Sequence, residues 1–376
     1  MLVITPTPIK NESLFGYILR VSESNGYDSP WHVLSYAGYS QSEMKAANFN
    51  IDKLSRIVGI KKEMLHDISH SYCNEKHNKR YILRHEIGYS SNKFLNFRRS
   101  KICPLCIEEK GFIEAFNDLN YAVACPEHMR LFVDYCPSCN SYLSIFRPGL
   151  LQCRCGFNFS DNFYSQNVSI QVAELMAIIK LKLENKELLS LPNKSKYPLE
   201  KLDSLSLASI LFLIQKLSFF SSVAIKNKNE AYEKIKKVSA ILSNWPINFY
   251  KFMEQLENQF ISSSFSKIGL SKQFSNLYTS IFKNYQFNLD IFKNEFKEFF
   301  INHWNGCETQ RNSIPVNKFE MTSDFITRYV FNPLYSPEIG IDKLKLQKNC
   351  NSKYKIASVS ERTAALALGI PAHVLN

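Results

Sequence analysis

The sequence predicts a mainly α-helical chain with a cysteine-rich centre. Three observations carry that expectation. The first hundred residues alternate short helical patterns with Gly, Asn and Ser breaks. Seven of the ten cysteines fall between positions 103 and 155. Beyond that centre, apolar residues return at helical spacing. The predicted organisation is therefore an N-terminal helix-turn-helix-like region over residues 1–100, a metal-binding region over 101–165 and an all-helical region over 166–376.

In the first region, "NESLFGYILRVSESNGY" places Leu14, Tyr17, Ile18 and Val21 on one helical face. Asn11 or Ser13 serves as the N-cap and Asn25-Gly26 as the stop. In "IDKLSRIVGIKKEMLHDIS", Leu54, Ile57 and Val58 precede Gly59, and Ile60, Met64, Leu65 and Ile68 follow it. Two short apolar-faced helices around a Gly turn resemble a helix-turn-helix. Lys61, Lys62 and Glu63 open its second helix and offer little chemistry for reading base edges.

The central region holds four donor pairs: Cys103-x2-Cys106, Cys125-x2-His128, Cys136-x2-Cys139 and Cys153-x-Cys155. Structural zinc takes four tetrahedral N/S donors, so eight donors suffice for two structural zinc ions per chain. In Cys-Pro-x-Cys turns Pro fixes φ, and neighbouring amides can hydrogen-bond the thiolates. Sequential pairing joins Cys103, Cys106, Cys125 and His128 in one ribbon-like or knuckle-like module, and Cys136, Cys139, Cys153 and Cys155 in the next. An interleaved pairing, 125/128 with 136/139 and 103/106 with 153/155, stays open. Under sequential pairing, Leu131, Phe132 and Val133 pack between the two modules. A catalytic zinc keeps an open position and works with a nearby base, and neither His-Glu-x-x-His nor a spaced acidic triad is present, so no catalytic residue is predicted. His66, His70, Cys73 and His77 form a rival cluster on one face of a continuous helix, but polar neighbours including Asn74 and Asn78 point to fraying and solvated histidines.

Between the helical region and the zinc modules runs a basic stretch interleaved with aromatics. Lys79, Arg80, Arg84, Lys93, Arg98, Arg99 and Lys101 stand against Glu86, with Tyr81, Tyr89, Phe94 and Phe97 among them. Such a run suits a nucleic-acid or partner surface, or a solvated linker whose rings dock on the zinc unit. The whole chain carries 46 Lys and Arg against 34 Asp and Glu, a formal charge of +12, which favours polyanionic partners. At 376 residues with 45% hydrophobic content, it has room for two or three folded domains.

Downstream, "VAELMAIIKLKL" repeats apolar residues at Val172, Leu175, Met176 and Ile179, and "SNWPINFYKFMEQLENQF" at Phe249, Phe252, Met253, Leu256 and Phe260. The apolar stretch Leu207–Phe220 is too short for a membrane span and predicts a buried helix. "LLSLPNKSKYPLEK" and "NGCETQRNSIPVN" read as linkers. "AALALGIPAHVLN" echoes "LSRIVGIKKEMLH" and is a candidate second helix-turn-helix, which predicts further sequence after Asn376. With no signal-peptide pattern, a soluble cytoplasmic protein is expected, its cysteines being thiols or metal donors.

The ordered features resemble the TniQ/TnsD family of transposon target-selection proteins. They are the Pro-x-Pro segment, Glu12-Ser13-Leu14, Arg20, Asn25-Gly26, Cys103-Pro104-x-Cys106, Cys125-x2-His128, Cys136-x2-Cys139 and Cys153-x-Cys155-Gly156. Phe116 stands where the family often has Trp, and "SNWP" at 243–246 resembles a motif of the shorter members. The length is similar to that of the short TniQ of type I-F CRISPR-associated transposons. That resemblance implies a non-enzymatic bacterial adaptor, homodimeric, joining an RNA-guided Cascade complex to the AAA+ regulator TnsC and the transposase. The longer TnsD branch implies instead a sequence-specific DNA-binding protein directing insertion to a fixed attachment site, with direct contact to target DNA.

Overall fold

In the computed structural model the chain divides between Ser243 and Asn244 into two compact units. The structure describes residues 2–40, 43, 49–70, 79–89, 94–96, 99–160, 165–191, 195–220, 230–261, 277, 287–290, 292–295 and 298. The architecture is mainly helical with few strands.

Helix α1 (Leu14–Ser24) starts where the Ser13 hydroxyl accepts the Gly16 amide, which resolves the choice of N-cap. Leu14, Tyr17, Ile18 and Val21 are all buried, as their spacing predicts. The residues around α1 hold the preceding segment in place. Buried Glu12 takes both Arg20 Nε (2.8 Å) and Nη2 (2.7 Å), a two-pronged ion pair. Asn25 Oδ1 accepts the Val3 and Ile4 amides at 2.8 and 3.0 Å, clamping the N-terminal strand of chain along the helix.

Helices α2 (Trp31–Tyr36), α3 (Ile51–Val58) and α4 (Lys62–Asp67) pack with α1 around Val33, Leu54, Val58, Leu65 and Ile68. Asn50 caps α3, and Gly59 ends it at φ +68°, a conformation that favours glycine. Met64, expected on the apolar face, is instead 40% exposed. In a helix this short only Leu65 and then Ile68 reach the core, and the preceding residue is rotated outward by about 100°. The helix ends at Asp67, so His66 and His70 do not share a continuous helical face.

A two-stranded antiparallel hairpin follows, β1 (Lys79–Ile82) and β2 (His85–Tyr89). The helical reading of this region did not anticipate it. Its turn places Leu83 and Arg84 at φ +43° and +69°, without the Asn or Gly that normally announces such a turn.

Beyond the cysteine region, α6 (Ile170–Leu183), α8 (Leu207–Phe220) and α9 (Glu230–Leu242) pack on one another, with α7 (Leu199–Asp203) between α6 and α8 in sequence. Val172, Leu175, Met176 and Ile179 are fully buried, and α8 is the predicted buried helix. Leu188–Ser190 forms a 3₁₀ turn within one expected linker. In the second unit, α10 (Ile247–Ile261) follows Pro246, and Phe249 and Met253 are buried. Trp245 packs on Phe249 and Phe292, with centroids 4.8 and 4.6 Å apart. The linker "NGCETQRNSIPVN" and the C-terminal echo of the helix-turn-helix lie outside the described residues. No helix among the described residues is long and apolar enough to cross a membrane.

Candidate metal centres

The first donor cluster is assembled from a helix start and a tight hairpin. Cys103 is the N-cap of α5 (Pro104–Lys110), and Pro104 occupies the first turn, where its missing N–H costs nothing. Cys106 therefore lies one turn along, on the same side as Cys103. Opposite them, β3 (Ala124–Cys125) pairs with β4 (Arg130–Leu131), and the connecting turn carries His128. Cys106 Sγ lies 3.4 Å from Cys125 Sγ, and His128 Nδ1 lies 3.6, 3.3 and 3.4 Å from the sulfurs of Cys103, Cys106 and Cys125. Tetrahedral zinc with sulfur and nitrogen ligands at about 2.3 and 2.0 Å would separate its donors by about 3.5–3.8 Å. The cluster matches that scale with little movement.

The second cluster is built from two knuckles. Cys136 and Cys139 lie in a turn closed by Asn140 N donating to Cys136 O at 2.9 Å, and Cys153 and Cys155 in one closed by Gly156 N to Cys153 O at 3.0 Å. Gly156 sits at φ +88°. The sulfur pairs Cys136/Cys155 and Cys139/Cys153 are 3.6 and 3.8 Å apart. Within each set of four, every donor atom lies within 4.8 Å of the others. The eight residues thus gather as 103/106/125/128 and 136/139/153/155, the sequential grouping, and both clusters could hold a metal ion.

The thiols are too crowded to ionise together without a cation. Hydrogen bonding with Cys103 and Cys125 pushes the Cys106 thiol far up, while bonds from Cys106 and Cys125 hold Cys103 down at about 3. In the other cluster, burial raises Cys153 to about 12. A bound divalent ion takes the place of the remaining protons, so the donor chemistry fits a metal.

Val133 joins the two clusters. It bridges Ile102 through backbone bonds of 3.0 and 2.8 Å, and it packs in one apolar cluster with Ile107, Cys136, Leu143 and Cys153. Phe132 is buried against Phe116 at 5.9 Å, and Leu131 is half-buried.

Several charged groups around the first cluster were invisible to sequence reasoning. Glu109 Oε1 lies 3.0 Å from His128 Nε2, so the imidazole proton sits on Nε2 and Nδ1 faces the sulfurs. Glu127, between two donors, bonds Lys180 of α6 at 2.7 Å and also pairs with Lys110. Burial alone would raise the Glu127 carboxyl, but the bonds from Lys110 and Lys180 outweigh it and hold it down at about 2. Lys180 also takes both oxygens of Glu114, at 2.8 and 2.7 Å. No local signal marked Lys180, since the same helical stretch also carries Glu174 and Lys182.

Among the described residues, the basic stretch does not form one cationic stripe. Lys79 pairs with Glu86 at 2.9 Å, Arg84 pairs with Asp67, and Arg80 is half-buried. Lys101 faces inward, which corrects its expected place on a binding surface. Its ammonium donates to the Leu119 and Ala122 carbonyls at 2.6 Å each, and burial pulls it down to about 8. Arg99 is exposed and lies over the Tyr142 ring, while Lys93 and Arg98 lie outside the described residues. The expected solvated histidines are also corrected in part: His70 is buried, 3.0 Å from Asp118 and stacked on Phe15. Cys73 and His77 lie outside the described residues.

No curated protein matches the chain. Residues 3–132, from the clamped N-terminal segment through α1 to β4 and including Cys103, Cys106, Cys125 and His128, match the TniQ family model, which supports the TniQ family for this part of the chain.

Proposed function

We propose that the protein is a non-enzymatic adaptor for transposition target selection, with two structural zinc ions. The TniQ match over residues 3–132 carries this reading, because it spans the first donor cluster and the helices that pack with it. Cys103, Cys106, Cys125 and His128 would hold one ion, and Cys136, Cys139, Cys153 and Cys155 the other. Zinc there supplies cross-links between segments distant in sequence. Four protein donors leave no position for substrate, so the chain's work lies in presenting surfaces.

On this reading the protein is of the short type I-F kind, a homodimer in the bacterial cytoplasm. It joins an RNA-guided Cascade complex to TnsC and the transposase. Guide pairing supplies sequence choice, and the adaptor supplies geometry. A TnsD-like DNA-binding reading is favoured by one observation: α3, the Gly59 turn and α4 pack as consecutive helices, with Lys61 and Lys62 exposed. Helix α4, however, spans only six residues, which limits its reach into a major groove.

Co-purification separates the two. Tagged full-length protein is expected to recover Cascade subunits with guide RNA, together with TnsC. Recovery of neither, combined with a shift of one specific duplex by the protein alone at physiological salt, refutes the adaptor.

A further inference from the structure

The two donor clusters differ in what covers their sulfurs. At the first, Cys103, Cys106 and Cys125 are all buried. Glu127, held by Lys110 and Lys180, lies 3.5 Å from Cys106 Sγ, and Glu109 stands outside His128. At the second, Cys139 and Cys155 are exposed while Cys136 and Cys153 are buried. Each knuckle therefore presents one open sulfur and one closed one. Across the cluster they pair open to closed: Cys139 Sγ lies 3.8 Å from Cys153 Sγ, and Cys155 Sγ 3.6 Å from Cys136 Sγ. The open side of this cluster is a cleft of about 370 Å³ lined by Cys139, Cys153 and Cys155, and Cys136 is not among the described residues on its wall. Of the two pairs, only Cys139/Cys153 has both members facing the cleft. Arg147 and Arg154 share the wall, and no carboxylate does among the described residues.

Reaction of a cysteine with a peroxide follows thiolate character and access. A bound zinc ion holds its sulfur donors as thiolates at neutral pH, so thiolate character is common to both clusters. Access is what separates them. Hydrogen peroxide is small and uncharged, and it can enter an open cleft where it cannot reach three buried sulfurs.

We propose that the second cluster is a site of reversible oxidation by hydrogen peroxide, with Cys139 as the attacked sulfur and Cys153 as the resolving one. The Cys139 thiolate attacks one peroxide oxygen, the O–O bond breaks and hydroxide leaves beside the arginine-bearing wall, giving a sulfenic acid. The Cys153 thiolate then attacks that sulfur, a second hydroxide leaves and a disulfide forms. The two sulfurs give up two electrons and peroxide takes them. The metal's charge is unchanged while its donors fall from four to two, so the ion is released. The first cluster keeps its ion. The proposal rests on zinc at the second cluster, as read above.

The test treats the zinc-loaded full chain with hydrogen peroxide, follows zinc release with a chromogenic chelator against a peroxide-free control, and maps disulfides by alkylation and peptide mass spectrometry. About one zinc ion per chain is expected to leave, at least about 10-fold faster than the other, together with a Cys139–Cys153 disulfide. Cys103, Cys106 and Cys125 should remain reduced, and dithiothreitol with added zinc should restore the starting content. Cys139→His keeps a zinc donor but lacks the attacked sulfur, so it should hold two ions and release the second about 10-fold more slowly. A first disulfide at any other pair overturns the proposal, as does equal release from both centres. So does oxidation confined to Cys73, Cys307 or Cys350 with both ions retained, or unchanged release from Cys139→His loaded with two ions. Zinc content before peroxide tests the metal reading separately: fewer than two ions refutes that reading, while the disulfide map of the same sample still decides which cysteines are modified.

Discussion

Replacing Lys180 by Met tests whether the ionic cluster beside the first donor cluster holds α6 to the cysteine-rich region. The Lys180 side chain is 9% exposed, and it faces Glu114 at 13%, Glu127 at 40% and Glu184 at 8%. Removing one partner of a buried ion pair costs about 3–5 kcal/mol, because the carboxylates left behind stay desolvated. Two features reduce that figure. Glu127 is open enough for water to screen it, and Lys110 still pairs with Glu114 and Glu127. The expected loss is about 2–3 kcal/mol. For a unit of this size that lowers the melting temperature by about 4–12 °C. Thermal unfolding of the metal-loaded protein at neutral pH measures it, at low salt and again near 1 M salt. A buried cluster should show nearly the same loss in both, since screening acts mainly on exposed charges. The double variant Lys180→Met/Glu114→Gln should recover part of the loss by removing an unpaired carboxylate. Chelator should also strip the first centre of Lys180→Met faster, because Glu127 lies between Cys125 and His128. A loss below about 1 kcal/mol at both salts would mean that the cluster behaves as a solvated surface network, and the reasoning fails.

Other outcomes follow from the same coordinates. Elemental analysis should find two zinc ions per chain, and chelation should unfold the central region; one ion or none refutes the double centre. Cys125→Ser should lower the content to one and leave the second cluster loaded, which cadmium or cobalt substitution would reveal spectroscopically. His85 is pushed below its ordinary 6.5 by burial, partly opposed by its bond to the Leu183 carbonyl. The neutral ring therefore favours folding above pH 6.5, and that contribution is lost as the pH falls through the folded value. An NMR titration placing His85 above 6.5 contradicts this, and His85→Gln should flatten part of the acid-side loss. Gly16→Ala should destabilise by about 1–3 kcal/mol rather than stabilise the helix. Its Cβ would meet Ile113 Cβ at 2.9 Å and the Ile113 carbonyl at 3.2 Å, and a raised melting temperature would refute that clash.

The sequence by itself determined whatever depends on neighbours along the chain. The helical faces of α1 and α6 were legible because burial follows a period of about 3.6 residues. The donor pairs were legible because each knuckle closes within four residues and needs only the right side chains at that spacing. Ser13 and Gly59 announced helix ends for the same local reason. Tertiary structure decided what depends on partners far away. Lys180 meets Glu127 and Glu114 across 53 and 66 positions, and His70 meets Asp118 across 48. Nothing local distinguishes those residues from solvated charges. The β1–β2 hairpin was hidden because Leu83 and Arg84 adopt positive φ against their own preference, held there by surrounding structure. Lys101 shows the same limit from the other side: its position in a basic run pointed outward, while the buried Leu119 and Ala122 carbonyls drew its ammonium in. Spacing encodes donors and periodicity encodes faces, but only packing decides which charge is buried and which is left to meet a partner.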